Sequence, residues 1–174
     1  MANRRAPSRP SQQTAFHAFL FADLCGFTEY TWRHGDELAA DLAVAFHIRV
    51  RELAEQEGCR VVKFIGDAAM VHSPDCRVAV RLACRILALS DLEGYPPIRI
   101  GLDSGPAVER DGDWYGSTVN TAARVADAAP PGELLVTERV RSAVADAVSI
   151  KLVARGIRKL KGLPALPVHA AAAA

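Results

Sequence analysis

A chain of 174 residues, half hydrophobic and about a quarter charged, is long enough for one domain with a real core and is globular rather than disordered. Its 21 basic and 20 acidic residues leave a net charge of +1, which argues against general binding to nucleic acid or an anionic membrane. A partner carrying phosphate has to be held locally.

Residues 1–14 are basic and rich in Pro and Ser, and are expected to be a disordered tail with no signal peptide. Residues 16–22 (FHAFLFA) form a short apolar strand ending at Asp23. A glycine-containing turn follows, Leu24-Cys25-Gly26-Phe27-Thr28. A long helix is predicted over 36–57, with Leu38, Leu42, Phe46, Val50 and Leu53 on one face and Gly58 as its stop. Residues 61–71 (VVKFIGDAAMV) read as two apolar strands around a Gly66-Asp67 turn. Pro74-Asp75 opens a second helix reaching about Ser90.

Residues 97–104 (PIRIGLDS) alternate as a strand, and 117–129 form a helix stopped by Pro130-Pro131-Gly132. A strand over 133–137, a helix over 138–146, a strand over 149–154 and a short one near Pro167-Val168 complete the body. The catalytic body is expected over 15–169, and the alanines from Ala170 to 174 are read as a tail. The element order predicts an α+β sandwich of the ferredoxin-like, palm type. In it an antiparallel-rich sheet carries helices on one face. Cys25, Cys59, Cys76 and Cys84 form no CxxC pair and no histidine stands at ligand spacing beside them, against a structural zinc. Reduced thiols and the lack of an apolar run of spanning length point to a cytoplasmic protein.

Two positions carry the first chemical suggestion. Asp23 closes one strand and Asp67 sits on the next hairpin. If those strands are neighbours, both carboxylates reach the same sheet end, where they repel unless a hard cation such as Mg²⁺ or Mn²⁺ lies between them. The turn through Gly26, Phe27 and Thr28 offers backbone N–H groups to phosphate oxygens. On these residues alone, a helix cap and a turn filler account for the two acids equally well. Asn120 and Arg124 are four apart and share a helix face. Taken alone, Arg124 fits a surface residue with a buried stem; its functional role would be a planar guanidinium for a reacting phosphate. Asp113 by itself is an ordinary loop acid.

Together these stretches resemble the class III nucleotidyl cyclase catalytic domain, most closely a stand-alone bacterial adenylate cyclase. The motifs are FLFADLCGFT with Asp23, VVKFIGDAAMV with Lys63 and Asp67, RIGLDSGPAV from Arg99, DWYGSTVNTAAR from Asp113 to Arg124, and RGIRKLKG, residues 155–162. The resemblance implies a head-to-tail homodimer with its sites in the interface. Asp23 and Asp67 of one chain would hold two divalent cations, Mg²⁺ or Mn²⁺. Lys63 and Asp113 of the other would read the purine, and its Asn120 and Arg124 would stabilise the transition state. Lys161, rather than Lys159, would approach the terminal phosphates.

The implied reaction is conversion of ATP to 3′,5′-cyclic AMP and pyrophosphate. Lys63 can only donate and ionised Asp113 can only accept, which suits adenine in the family's geometry without excluding guanine. The connection from Gly105 to Asp113 is short where many family members carry a longer arm toward the partner. Two rivals are a regulatory pseudo-cyclase, against which the full residue set speaks, and a single-stranded RNA binder, against which the 6% aromatic content speaks. Trp32 and His34 read as packing or surface groups, His47 and His72 have no partner at ligand spacing, and Cys25 is small enough to fit its turn.

Overall fold

The computed structural model describes residues 16–174; the expected tail over 1–14 lies outside them. The chain runs β1 (His17–Leu24), α1 (Phe27–His34), α2 (Asp36–Gln56), β2 (Arg60–Ile65), β3 (Ala68–Ser73), α3 (Cys76–Leu87) and α4 (Leu89–Glu93). It continues β4 (Ile98–Gly105), β5 (Val108–Arg110), β6 (Asp113–Tyr115), α5 (Ser117–Asp127), β7 (Leu134–Thr137), α6 (Glu138–Ala143), β8 (Ile150–Arg158) and β9 (Leu166–Ala173). Seven strands form one sheet in the order β2-β3-β1-β4-β7-β9-β8, and β5 pairs with β6 apart from it. Every neighbour in the large sheet is antiparallel except β4 with β7. This is the antiparallel-rich α+β sandwich that the element order predicts. No described helix is long and apolar enough to cross a membrane.

Alternation along β1 decides the layers. Ala18, Leu20, Ala22 and Leu24 pack with Phe46, Val50 and Leu53 of α2 and with Val80, Leu82 and Ile86 of α3. Phe19 points the other way, onto Trp114, Val119 and Ala122. Helices therefore cover both faces, which corrects the expectation of one. The reason is Gly101, in the middle of β4. A Cβ there would overlap the Ala126 backbone and the Ala122 carbonyl, so the missing side chain lets α5 lie directly on the sheet.

Three further differences bear on the site. The alanines from Ala170 to Ala173 are not a tail but the far half of β9: Ala170 and the buried Ala171 pair with both β7 and β8, and Ala172 and Ala173 with β8. Alanine has weak strand preference, so the pairing on both sides rather than the residue type fixes this conformation. The stretch after Gly26 is a helix, α1, with no buried residue and hence no hydrophobic period to reveal it. The short connection after Gly105 holds the β5–β6 hairpin, which turns on Asp111 and Gly112, both at positive φ, as a tight two-residue turn requires.

Candidate active site

The register of the central strands assembles one end of the sheet. Asp23 on β1 pairs across to Ala68 of β3 on one side and to Arg99 of β4 on the other. Asp67, one residue before Ala68, thus joins Asp23 at the same edge. Gly66 in that turn has φ 61°, a conformation that side chains other than glycine rarely adopt. Burial first, and then the negative charge of Asp23, push the Asp67 carboxyl up to about 6. Two hard-oxygen donors forced together in this way suit a small divalent cation. Among the described residues no cluster of three or more His, Cys, Asp or Glu is placed to hold a metal. A cation here would take further ligands from water, backbone or substrate phosphate, as Mg²⁺ commonly does.

Arg99 is a site residue to which sequence reasoning gave no role. Its Nε and Nη2 both donate to Asp23 Oδ2, at 2.8 and 2.5 Å. The visible signal was a lone arginine inside an apolar strand, but only the β1–β4 register shows which acid it meets. Cys25 lies against the same group, and burial raises its thiol above the usual range, which makes it a poor nucleophile.

Lys63 and Asp113 meet directly, Nζ to Oδ2 at 2.5 Å, within one chain. A β-bulge makes this possible. β2 slips register between Val61 and Lys63 against β3. Val61 and Phe64 face the α2 side, whereas Val62 faces the Phe19–Trp114 cluster. The extra residue keeps Lys63 on the same side as Val62, toward β6; strict alternation would turn it toward α2. The Trp114 amide donates to Asp113 Oδ1 at 2.8 Å, and Lys63 holds the Asp113 carboxyl below its usual value.

Asn120 and Arg124 share the exposed face of α5, opposite its buried Val119, Ala122 and Val125. Arg124 Nη1 bonds Asp127 Oδ2 at 2.9 Å. With Asp23 and Ile65 they border an open groove of about 280 Å³. Thr28 is exposed in the first turn of α1 and Phe27 is partly buried against the core. Gly26 provides no side-chain cap to that turn. Lys161 is exposed between β8 and β9, as is Lys159, and Lys161 borders neither the groove nor the Lys63–Asp113 pair. The structure therefore gathers Asp23 with Asp67, and Lys63 with Asp113; it brings Asn120 and Arg124 to the groove, and leaves Lys161 apart.

Comparison with known proteins identifies the family and the fold. The model of the family described as adenylate and guanylate cyclase catalytic domain matches residues 10–170. A pH-sensitive adenylate cyclase of Mycobacterium tuberculosis is 36% identical over 147 residues, covering 84% of this chain and 37% of its own length. An adenylate cyclase of Streptomyces griseus is 35% identical over 117 residues, covering 67% of this chain and 29% of its own. The chain thus spans about a third of the length of these relatives. An adenylyl cyclase from P. aeruginosa superposes with a TM-score of 0.79 at 23% identity, covering 90% of this chain and 93% of that one. The guanylate cyclase domain of a protein from Catenaria anguillulae, solved with GTP, gives 0.82 at 21%, covering 94% and 99%. The two structures establish the fold, and the family match covers nearly the whole chain: the protein belongs to the adenylate and guanylate cyclase catalytic domain family.

Proposed function

We propose that this domain is an adenylate cyclase, converting ATP to 3′,5′-cyclic AMP and pyrophosphate at sites shared between two copies of the chain. The observation that carries the reading is the juxtaposed Asp23–Asp67 pair, with Asp67 raised to about 6. Asp23 already draws Arg99, and the buried Asp67 beside it has no ion-pair partner among the described residues, an arrangement that suits a further cationic ligand. Two Mg²⁺ or Mn²⁺ ions held there would acidify the ribose 3′-hydroxyl and neutralise the triphosphate. The remaining work of phosphoryl transfer is positioning and charge.

Lys63 donates to adenine N1 and Asp113 accepts from the 6-amino group. Guanine presents the reverse edge, so it is the poorer substrate. Arg124 offers its guanidinium to the charge growing on the α-phosphate, and Asn120, one turn earlier, orients the ribose or a water. Arg99 turns its donors from Asp23 to phosphate oxygens when that carboxylate is taken up. The first-turn amides of α1 at Phe27 and Thr28 receive further phosphate oxygens, and Lys161 closes over the terminal ones from the β8–β9 turn. Asn120 and Arg124 are exposed, as residues serving a partner's site must be.

A second reading rests on the groove in which Asp23, Asn120 and Arg124 of one chain already meet, which would place the whole site in a single subunit. Product analysis tests the activity itself. With ATP and GTP supplied side by side, and Mn²⁺ or Mg²⁺, cyclic AMP should dominate. Failure to form any cyclic nucleotide with either metal over a broad pH range would remove the assignment.

A further inference from the structure

Asp113 stands at the start of β6, a strand of three residues whose ladder partner is the three-residue β5. A two-stranded ribbon this short is not stable by itself in water. Something outside it has to hold the carboxylate in place. Trp114, the next residue, turns inward and is only 8% exposed, while Tyr115 after it is 55% exposed. Strand alternation therefore couples the direction of Asp113 to the seating of Trp114.

That seat is made of two histidines that the proposed chemistry does not use. The indole stacks on His72 with ring centres 4.6 Å apart and planes 15° apart. His17 lies 4.4 Å from the indole on a tilted ring. Nδ1 of His17 and Nε2 of His72 are 2.9 Å apart, so one imidazole donates to the other and each fixes the rotation of its neighbour. Burial first, and then the charges of His17 and Arg60, lower His72 to about 4, so it is neutral and can accept or donate within the pair. Phe19 closes the cluster edge-on to the indole. Arg60 adds a strap, bonding Glu109 Oε1 at 2.8 Å and the Gly112 carbonyl at 3.2 Å. An aliphatic side chain at position 72 would fill the same space, but it could neither stack nor lock the indole plane.

We propose that the hydrogen-bonded His17–His72 pair is a positioning device for Asp113, acting through Trp114, and sets how tightly and selectively the domain holds a purine. The proposal rests on the assignment of Lys63 and Asp113 as the purine-reading pair. His17 and His72 lie at the opposite end of β1 and β3 from Asp23 and Asp67. Disturbing them should change binding of the base and leave the phosphoryl step alone.

The test uses the full chain with His72→Ala and, to keep a flat ring without its hydrogen bond, His72→Phe. His72→Ala should raise KM for ATP about tenfold and cut the preference for ATP over GTP by a similar factor, with kcat within about twofold of the parent. His72→Phe, which keeps the stack but not the hydrogen bond, should recover only part of that loss, and full recovery would show that the hydrogen bond plays no role. A second readout needs no turnover. The chain has two tryptophans, so in a Trp32→Phe background the emission reports Trp114 alone. Titration with a non-hydrolysable ATP analogue should perturb that emission, with about tenfold weaker affinity in His72→Ala. Unchanged KM and selectivity, or a fall in kcat alone, would overturn the proposal while leaving the cyclase assignment standing. If the parent makes no cyclic nucleotide, the assignment falls and the titration decides the seat: weaker analogue binding in the variant supports it, and equal or absent binding rejects it. Should His72→Ala fail to fold, His17→Ala at the half-buried edge takes its place, with an expected loss of about threefold.

Discussion

The two charged pairs of the site are built on opposite principles. Asp23 and Asp67 are like charges held together by the β1–β3 register, and burial first, then the charge of Asp23, raises Asp67 to about 6. Lys63 and Asp113 are opposite charges at 2.5 Å, and Asp113 is lowered. In the first pair Asp23 is already met by Arg99, whereas Asp67 has no ion-pair partner among the described residues and would gain from an incoming cation. The second pair is satisfied within the chain, so a base read by it would have to replace an ion pair already made. Under the proposed function a cation would relieve the buried Asp67 carboxyl, whereas a purine would be read selectively because a wrong edge could not compensate for the pair it opens.

Substitutions at the first pair should have the larger effects. Asp23→Ala should cost about a thousandfold or more in turnover, since it removes charge stabilisation at the reacting phosphate, with melting temperature preserved. Retained turnover would remove Asp23 from the machinery. At the second pair, Lys63→Ala or Asp113→Ala should cost roughly ten- to a hundredfold in the ratio of kcat/KM for ATP to that for GTP. An unchanged ratio would place base reading elsewhere.

The smallest effect is on stability, and its sign differs between the pairs. Asp67 holds its proton up to about 6 when folded against 3.8 ordinarily. Between those values the folded chain binds more protons than the unfolded one, so metal-free protein should lose stability as pH rises from about 4 to about 6. Solvent screening of this half-buried group limits the loss to about 1 kcal/mol. Asp67→Asn should flatten the slope, and Mn²⁺ should restore stability above pH 6. Asp113, whose value is lowered, works the other way: its contribution is present above its unfolded pKa and fades as pH falls through the folded one. Thermal melts of Asp67→Asn between about pH 4 and 6, and of Asp113→Asn below about pH 4, separate the two. Parallel slopes would show that the pairs do not differ as described.

The same contrast governs how much could be read from the sequence. The short apolar run FHAFLFA and helical spacing through Leu42, Phe46 and Val50 exposed β1 and α2, because burial selects those patterns. The motifs exposed the two acids and the helix carrying Asn120 and Arg124. Contacts that depend on register stayed hidden. The bulge that turns Lys63 toward Asp113, the β1–β4 pairing that lays Arg99 on Asp23, and the stacking of Trp114 on His72 join residues distant in sequence, and no local pattern encodes them. The alanines of β9 and the polar α1 failed for a related reason: one is held by its neighbours' backbone, and the other has no fully buried residue.

Mixing two inactive variants tests the shared site most directly. Asp67→Ala lacks an acid but keeps its α5 face, and Arg124→Ala lacks the guanidinium but keeps both acids. Random pairing makes half the dimers hybrid, with one complete site each, so about a quarter of parental cyclic AMP formation should return. A mixture that stays dead while hybrid dimers demonstrably form would contradict the account and leave the groove of a single subunit as the place where reaction occurs.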